Sequence, residues 1–120
     1  MLLFTPAFFI FGGNNMKIID INNIDPVLNT GDIIGKKFYT RDELEAVQIT
    51  IKPGGHLKSH KTPVDVLFLA IKGTAELDIG DETITLERLQ SIESPKNIPH
   101  AVRNPGDVDM EILVLKTPKP

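Results

Sequence analysis

The chain contains no cysteine and no tryptophan, and aromatic residues make up only 6% of its 120 positions. Without cysteine there is no disulfide bridge, no thiolate metal ligand and no cysteine nucleophile. This composition fits a reducing compartment, and we expect a cytoplasmic protein. The formal net charge is only −3, which gives no electrostatic reason to bind nucleic acid. The length is that of one domain with a single hydrophobic core.

Long hydrophobic runs and the common catalytic motifs are also missing. No apolar segment reaches the roughly twenty residues that a membrane-spanning helix needs, so we predict no membrane partner. There is no glycine-rich phosphate loop, no nucleophile elbow, and no serine–histidine–aspartate set in a recognisable context. The function must therefore be inferred from other residues.

Residues 1–15 are uncharged and largely apolar, unlike the rest of the chain. They are too short for a membrane span and lack the basic region that begins a secretory signal. We expect residues 1–15 to be an upstream start or a dispensable extension, and residues 16–120 to be the folded domain. The first alternative is an extra apolar strand that packs on the domain or on a second subunit. A signal peptide or anchor is the second alternative.

The remaining sequence predicts short strands joined by turns. Nine prolines and nine glycines imply many turns. Residues 44–51 alternate apolar and polar, and residues 74–86 do so on both sides of a Gly-Asp turn, as strands do. Residues 64–71 are apolar on both faces, which predicts a central strand, whereas residues 29–37 read as loop and residues 116–120 should fray. Seven to nine strands without a convincing helix predict an all-β sandwich or barrel.

All three histidines lie in two segments that share one plan. In residues 52–73, a Pro-Gly-Gly turn precedes His56 and His60, and an apolar strand follows. In residues 95–104, a turn precedes His100 and another short strand. The two segments are the natural candidates for a functional site.

The first segment resembles the first motif of the cupin family, whose members are small β-barrels of the jelly-roll type. That motif has a Pro-Gly turn, then His-x-His, a glutamate and a closing glycine. Counting from Pro53 and back from Gly73 places His60 at the first histidine. Thr62 then stands at the second histidine, and Val66 stands at the glutamate.

The second segment resembles the second cupin motif, Gly-x5-Pro-x-Gly-x2-His-x3-Asn. Pro95, His100 and Asn104 match it at the right spacing. Leu89 replaces the leading glycine. Asn97 replaces the inner glycine, and asparagine is the residue that best tolerates a left-handed backbone after glycine. The resemblance predicts a single-domain, all-β jelly-roll barrel of antiparallel strands.

Cupins with a complete site hold a divalent metal with three histidines and one glutamate, and this chain keeps two of those ligands. His60 and His100 would be half of a weak Zn, Fe, Mn, Ni or Cu site. Glu93, just before the second motif, is the best candidate for the missing carboxylate if it points inward, although Ile92 also favours the interior. His56 is a less favoured third ligand. A barrel with no cofactor, in which the histidines only form hydrogen bonds, is the equal alternative.

The resemblance also places a small-molecule ligand in the barrel, with Thr62, Val66, Phe68 and Asn104 as the predicted binding residues. Arg103 should face away from the histidines by strand alternation, towards the surface or a subunit interface. Asp65 should also face away and hold the turn at residues 61–63.

Alternation also turns Leu67, Leu69 and Ile71 away from the predicted cavity, where a second sheet or a second copy of the chain must cover them. We therefore expect a homodimer. The function predicted from the sequence is a cupin that binds a small polar molecule at His60 and His100, with a weakly held metal and oxygenase or isomerase activity as options. The alternative is a non-catalytic, metal-free ligand-binding or sensor cupin.

Overall fold

The computed structural model describes residues 8–11 and 16–120, and their regular structure is nearly all β-strand. The strands are β1 (Phe8–Phe11), β2 (Met16–Ile19), β3 (Leu28–Asn29), β4 (Ile33–Arg41), β5 (Leu44–Ile51), β6 (His56–His60), β7 (Asp65–Lys72), β8 (Ala75–Ile79), β9 (Glu82–Leu86), β10 (Ser91–Ser94), β11 (His100–Arg103) and β12 (Met110–Thr117). A single 3₁₀ turn, Ile21–Asn23, follows β2. The all-β prediction is confirmed, with more strands in the described residues than the seven to nine expected.

Two antiparallel sheets pack against each other to form the domain. The large sheet has the order β10-β7-β12-β5-β4-β3, and the small sheet has the order β6-β11-β8-β9. Their facing side chains form one core, whose largest fully buried members are Phe68, Ile51, Leu77, Met110, Ile112, Val66 and Val102. The predicted jelly-roll barrel of antiparallel strands is therefore confirmed.

Strand alternation works as expected on β7, the strand predicted to be central. Val66, Phe68 and Ala70 are buried in the core, while Leu67 on the opposite face is 36% exposed. β7 lies between β10 and β12 in the large sheet. Its central position is set by these two neighbours, and its outer face is left open in the single chain.

The prediction of a loop at residues 29–37 is wrong, because β4 begins at Ile33. Gly35 suggested a turn, but it is a buried strand residue paired with Leu28 and Ile49. A Cβ atom at Gly35 would lie 3.4 Å from the Cβ of Leu28. The glycine therefore allows β3 to pack closely, and it does not end the strand.

Two polar segments are also strands and not loops. His56 follows the Pro-Gly-Gly turn directly and begins β6, and its side chain is exposed. β12 continues to Thr117, so the expected fraying from residue 116 is wrong. Lys116 pairs in register with Glu45 on β5, and this ionic contact extends the strand beyond its apolar part.

Two residues at cupin glycine positions have left-handed backbones. Asn97 has φ of 64° and Leu89 has φ of 69°. The left-handed conformation inferred for Asn97 is therefore present. The same conformation at Leu89 is strained, because a Cβ atom crowds the backbone there.

β1 pairs antiparallel with β2, with Phe8 opposite Ile19, and the two form a separate small sheet. Residues 1–7 and 12–15 lie outside the described residues. The division of the chain at residue 16 therefore stays a prediction. Within residues 8–11 and 16–120, no helix has the length and hydropathy needed to cross a bilayer.

Candidate functional site

Two histidines from neighbouring strands lie side by side in the small sheet. His60 ends β6, His100 begins β11, and the antiparallel register places them opposite each other. Their ring centroids are 4.6 Å apart and their planes are nearly perpendicular, at 89°. The fold thus brings together the two imidazoles that the sequence analysis expected to share one cavity.

The His100 ring is buried, with only 2% of the residue exposed. The Ser94 Oγ lies 2.9 Å from Nδ1, and the Thr62 Oγ1 lies 3.4 Å from Nε2. The Phe68 ring packs edge-on at a centroid distance of 5.1 Å. Burial lowers the pKa of His100 to about 4, and the charges of His60 and Lys116 add to the effect. The ring is therefore neutral near pH 7.

The hydrogen bond to Ser94 determines which nitrogen of His100 carries the proton. Ser94 is fully buried, and within the described residues its hydroxyl has only this ring as a partner. If Nδ1 donated to Ser94, the buried hydroxyl hydrogen would have no acceptor, at a cost of about 1–3 kcal/mol. We therefore assign the hydroxyl as donor to Nδ1. The neutral ring then carries its proton on Nε2, which points towards Thr62.

His60 has the complementary arrangement. Its Nδ1 lies 3.0 Å from the carbonyl oxygen of Lys58. A carbonyl can only accept, so Nδ1–H is the donor and Nε2 of the neutral ring is an acceptor. The pair thus offers one donor, on His100, and one acceptor, on His60.

The two histidines line a cavity between the sheets. Its inner part has a volume of about 60 Å³, and its other walls include Thr62, Val66, Phe68 and Val114. A wider mouth of about 310 Å³ shares His60 and Lys116 with the inner part. Apolar walls with a few polar groups are typical of small-molecule sites.

Three charged side chains surround the mouth. Glu45 is only 7% exposed, and its two carboxylate oxygens each lie 3.3 Å from a lysine Nζ, that of Lys37 and that of Lys116. Burial alone would raise the pKa of Glu45, but the hydrogen bonds and charges of Lys116 and Lys37 outweigh it and hold that pKa below its ordinary value. Glu45 is therefore an anion with both oxygens occupied.

A family model described as a cupin domain matches residues 47–116, which is more than half of the chain. This chain belongs to the cupin family. The match contains His60 and His100, most strands of the two sheets and the whole lining of the inner cavity, whereas Lys37 and Glu45 at the mouth lie before it.

Curated relatives of this cupin are much longer proteins. It is 32% identical over 86 residues to "Xanthan biosynthesis protein XanB" of Xanthomonas campestris pv. campestris, covering 70% of this chain and 17% of that protein. It is 31% identical over 77 residues to "Mannose-1-phosphate guanylyltransferase" of Sinorhizobium fredii, covering 63% of this chain and 15% of that protein. The chain thus spans about a sixth of the length of the curated relatives it matches.

Solved structures share the fold at low sequence identity. KdgF from Halomonas sp. superposes with a TM-score of 0.74 at 18% identity, covering 82% of this chain and 92% of that chain. TT1209 from Thermus thermophilus superposes with a TM-score of 0.75 at 23% identity, covering 88% of this chain and 100% of that chain. At such identities the likeness shows the cupin fold alone.

The residues at the cupin metal position do not fit a tightly held divalent cation. Thr62 and Val66 stand where the second histidine and the glutamate would be, and neither supplies an imidazole or a carboxylate. The Nε2 atom of His100 carries the proton in the tautomer assigned above, so it donates where a ligand must accept. Within residues 16–120, no three histidine, aspartate or glutamate side chains cluster in a way that could hold a metal ion.

The structure does not bring Glu93 to the histidines. Glu93 is exposed and pairs with Leu67 on the outer face of the large sheet. Its neighbour Ile92 packs against the core instead. Because side chains alternate along a strand, burial of Ile92 turns Glu93 outward. The proposed two-histidine, one-carboxylate set is therefore not assembled.

Asn104 also has a different role from the one predicted. Its side-chain amide nitrogen donates to the carbonyl oxygens of Ile51 and Val108, and its oxygen accepts from the backbone N–H of Gly106. These contacts hold the turn before β12. Asn104 is therefore a structural residue, whereas Thr62, Val66 and Phe68 line the cavity as predicted.

Two other charged residues act on surfaces and turns. Arg103 forms ion pairs with Glu76 and Asp78 on the outer face of the small sheet, in line with its expected outward direction. Arg103 and Thr83 hold the pKa of Asp78 at about 2. Asp65 accepts from the backbone N–H of Lys96, so it holds the second-motif turn and not the predicted turn at residues 61–63.

Ser94 and the three charged residues at the mouth were not predicted from the sequence. A signal for two of them was present. Glu45 lies on the same face of β5 as buried Val47, and Lys116 lies on the same face of β12 as buried Val114. Opposite charges on the inward faces of two strands indicate a paired, functional position. Ser94 carried no such signal.

Proposed function

We propose that this chain is a cupin that binds a small polar molecule in the cavity between its sheets without a metal ion. The observation that carries the proposal is the hydrogen bonding of His100. Ser94 and Thr62 contact its two ring nitrogens, so the ring is held as a neutral donor at the base of the cavity. A metal centre would need the same nitrogen as an acceptor.

The ligand should match this arrangement. A hydroxyl group can accept from His100 Nε2–H by replacing the long 3.4 Å contact to Thr62, and it can donate to His60 Nε2. The rest of the molecule packs on Phe68 and Val114. The relatives named for xanthan biosynthesis and for mannose-1-phosphate guanylyltransferase support a sugar derivative as the first ligand class to test. The activity of those longer proteins is not part of this proposal.

Acid–base catalysis is the second candidate function. His60 Nε2, the acceptor, is placed to remove a proton from one atom of a bound sugar and return it to another. The neutral Nε2–H of His100, on a ring 4.6 Å away between centroids, polarises the adjacent oxygen by a hydrogen bond. This supports isomerase or epimerase chemistry that needs no metal. The competing proposal, an oxygenase with a metal weakly held at His60 and His100, requires a third ligand from the bound molecule or water.

Metal content separates these possibilities. We expect protein purified without a histidine tag to contain far less than one equivalent of Zn, Fe, Mn, Ni or Cu by elemental analysis. Its melting temperature should not change on chelation, because no bound metal stabilises the fold. Near-stoichiometric metal that disappears in a His60→Ala, His100→Ala double variant would overturn the metal-free proposal.

Ligand binding can be tested by NMR titration with a panel of monosaccharides and sugar phosphates. Binding in the cavity should shift the methyl signals of Val66 and Val114. His60→Gln should weaken it about tenfold, since one hydrogen bond is lost. His56→Gln is the matched control, because His56 is also exposed and lies at the other end of β6. Shifts confined to surface residues would refute the site.

We also propose that the chain forms a homodimer through the outer face of the large sheet, formed by Leu67, Leu69, Ile71, Leu113 and Leu115. These side chains are partly or fully exposed in the single chain. Ile71 and Leu113 border an open depression of about 610 Å³ that is also lined by Lys36 and Glu111. A second copy would bury the leucines and pair the opposite charges.

Sedimentation analysis tests this arrangement. Leu69→Lys places a charge at the centre of the outer face and should raise the dimer dissociation constant about 30-fold or more. Thr85→Lys, on an exposed position of the small sheet, is the control and should leave it unchanged. A wild-type protein that sediments as a monomer at 100 μM (roughly ten times a weak dimer's dissociation constant) would refute the proposal.

A further inference from the structure

The charged residues at the cavity mouth carry more positive charge than the buried carboxylate requires. One lysine would neutralise Glu45, but two lysines contact it, one at each oxygen. The group of Lys37, Glu45 and Lys116 therefore has a net charge of +1. The Lys116 side chain is only 25% exposed, so a further anion at the mouth would offset the cost of holding this cation partly away from water.

Both lysines keep hydrogen-bonding capacity for a ligand. An ammonium group has three N–H donors, and within the described residues each lysine has one ion-pair contact, to Glu45. The Lys116 side chain is 25% exposed and lines both the mouth and the inner cavity. The Lys37 side chain is 41% exposed and lines the mouth. The free N–H groups can thus reach a molecule that enters the cavity.

Glu45 has a positioning role in this group. It sits opposite Lys116 in the β5–β12 register, so its carboxylate holds both ammonium groups at the mouth. Because both of its oxygens are occupied, it has no free oxygen for a metal or for a ligand proton. Lys37, Glu45 and Lys116, called the lysine clamp below, line the same mouth as His60.

We propose that the ligand of this cavity carries an oxyanion, a carboxylate or a phosphate, which Lys116 and Lys37 bind at the mouth while the uncharged part enters towards His60 and His100. The inference rests on the proposed function, since it names the ligand class of the same cavity. Lysine attracts an oxyanion as a point charge. A carboxylate and a phosphate therefore both fit the same site.

Two matched pairs of probes test whether the ligand must be negatively charged, and they distinguish a carboxylate from a phosphate. Benzoate and benzamide have head groups of similar shape, but the amide is uncharged and has an NH2 group in place of one oxygen. Mannose 1-phosphate and mannose differ by the phosphate. NMR titration with each should show the anion of at least one pair binding about tenfold or more tightly than its neutral partner. Affinity for the anion should fall as salt is raised, because exposed charges are screened.

Variants assign the effect to the lysine clamp. Lys116→Met and Lys37→Met should each weaken anion binding about tenfold and leave the neutral probes unchanged. Glu45→Gln should strengthen anion binding about threefold to tenfold, because it removes the competing negative charge while the amide oxygen can still accept from one of the two lysines. Lys36→Met is the control, since Lys36 adjoins Lys37 on β4 but lines the outer face of the large sheet.

The outcomes separate the two levels of the proposal. Neutral probes that shift cavity signals as strongly as their anions would overturn the oxyanion proposal and leave ligand binding in the cavity intact. Anion binding that Lys116→Met, Lys37→Met and Lys36→Met weaken equally would also overturn it. If none of the four probes shifts a cavity signal, both the oxyanion site and the proposed function fail. An increase with Glu45→Gln supports the lysine clamp even if Lys116→Met does not fold.

Discussion

Protonation of His100 should destabilise the fold between pH 6.5 and pH 4. The pKa of this buried ring is about 4 in the folded chain, against an ordinary value of 6.5. As the pH falls, the unfolded chain therefore binds the proton first, and stability decreases. The contribution is fully present above pH 6.5 and is lost by pH 4. Because one unit of pKa corresponds to about 1.4 kcal/mol, the loss is up to about 3 kcal/mol.

The matched variant is His100→Gln, which removes the titrating group and keeps a side chain able to form hydrogen bonds. Urea unfolding of both proteins from pH 7 to pH 4 gives the free energy of unfolding at each step. At pH 7 the variant should be less stable by about 1–3 kcal/mol, because the contacts to Ser94 and Thr62 are disturbed. The difference should shrink as the pH falls, by up to about 3 kcal/mol.

Other groups with shifted pKa values act at lower pH. Glu45 and Asp78 have lower pKa values in the folded chain than their ordinary values of 4.5 and 3.8. Each group therefore stabilises the fold at a pH above its ordinary pKa, and this stabilisation is lost as the pH falls below that value. Both groups are present in both proteins and cancel in the difference. Parallel stability curves between pH 6.5 and pH 4.5 would refute the claim that burial keeps His100 neutral.

Three further predictions concern the cupin motif positions. In urea unfolding, Leu89→Gly should raise the free energy of unfolding by about 0.5–1 kcal/mol, because it relieves the strain of a left-handed backbone at an exposed residue. Asn97→Gly should raise the free energy of unfolding by less, because asparagine tolerates this backbone better than leucine. Equal or opposite effects of the two variants would contradict this. Thr62→His with Val66→Glu should create metal binding detectable by elemental analysis, and failure would show that the missing donors are not the obstacle. Asn104→Ala should lower stability by about 2–4 kcal/mol through three lost hydrogen bonds, while mannose binding is unchanged by NMR; a changed affinity would return Asn104 to the binding site.

Short-range patterns were sufficient to predict much of the fold. The alternation in residues 44–51 and 74–86 gave strands and a hairpin, because side-chain period and turn residues are local properties. The left-handed backbone of Asn97 was expected from the resemblance, because Asn97 stands at a glycine of the second cupin motif. The prediction that His60 and His100 share a cavity came from the spacing of two cupin motifs, and the β6–β11 register agrees with it.

Local patterns failed where a residue's role depends on a distant partner. Gly35 reads as a turn in the sequence, but its contact with Leu28 makes it a strand residue. Glu93 and Ile92 compete for one interior position, and only the packing of β10 on β7 shows that Ile92 occupies it.

The sequence by itself determined that the chain is an all-β cupin with two of four metal ligands. The tertiary structure decided the chemistry of its cavity. It placed Ser94 against His100, and it placed Lys116 against Glu45, which lies about 70 positions earlier in the chain. The ion pair joins side chains that are far apart in sequence, and Ser94 and His100, although only six positions apart, lie on strands of different sheets. No composition, period or motif specifies the distances between these side chains until the sheets are packed together.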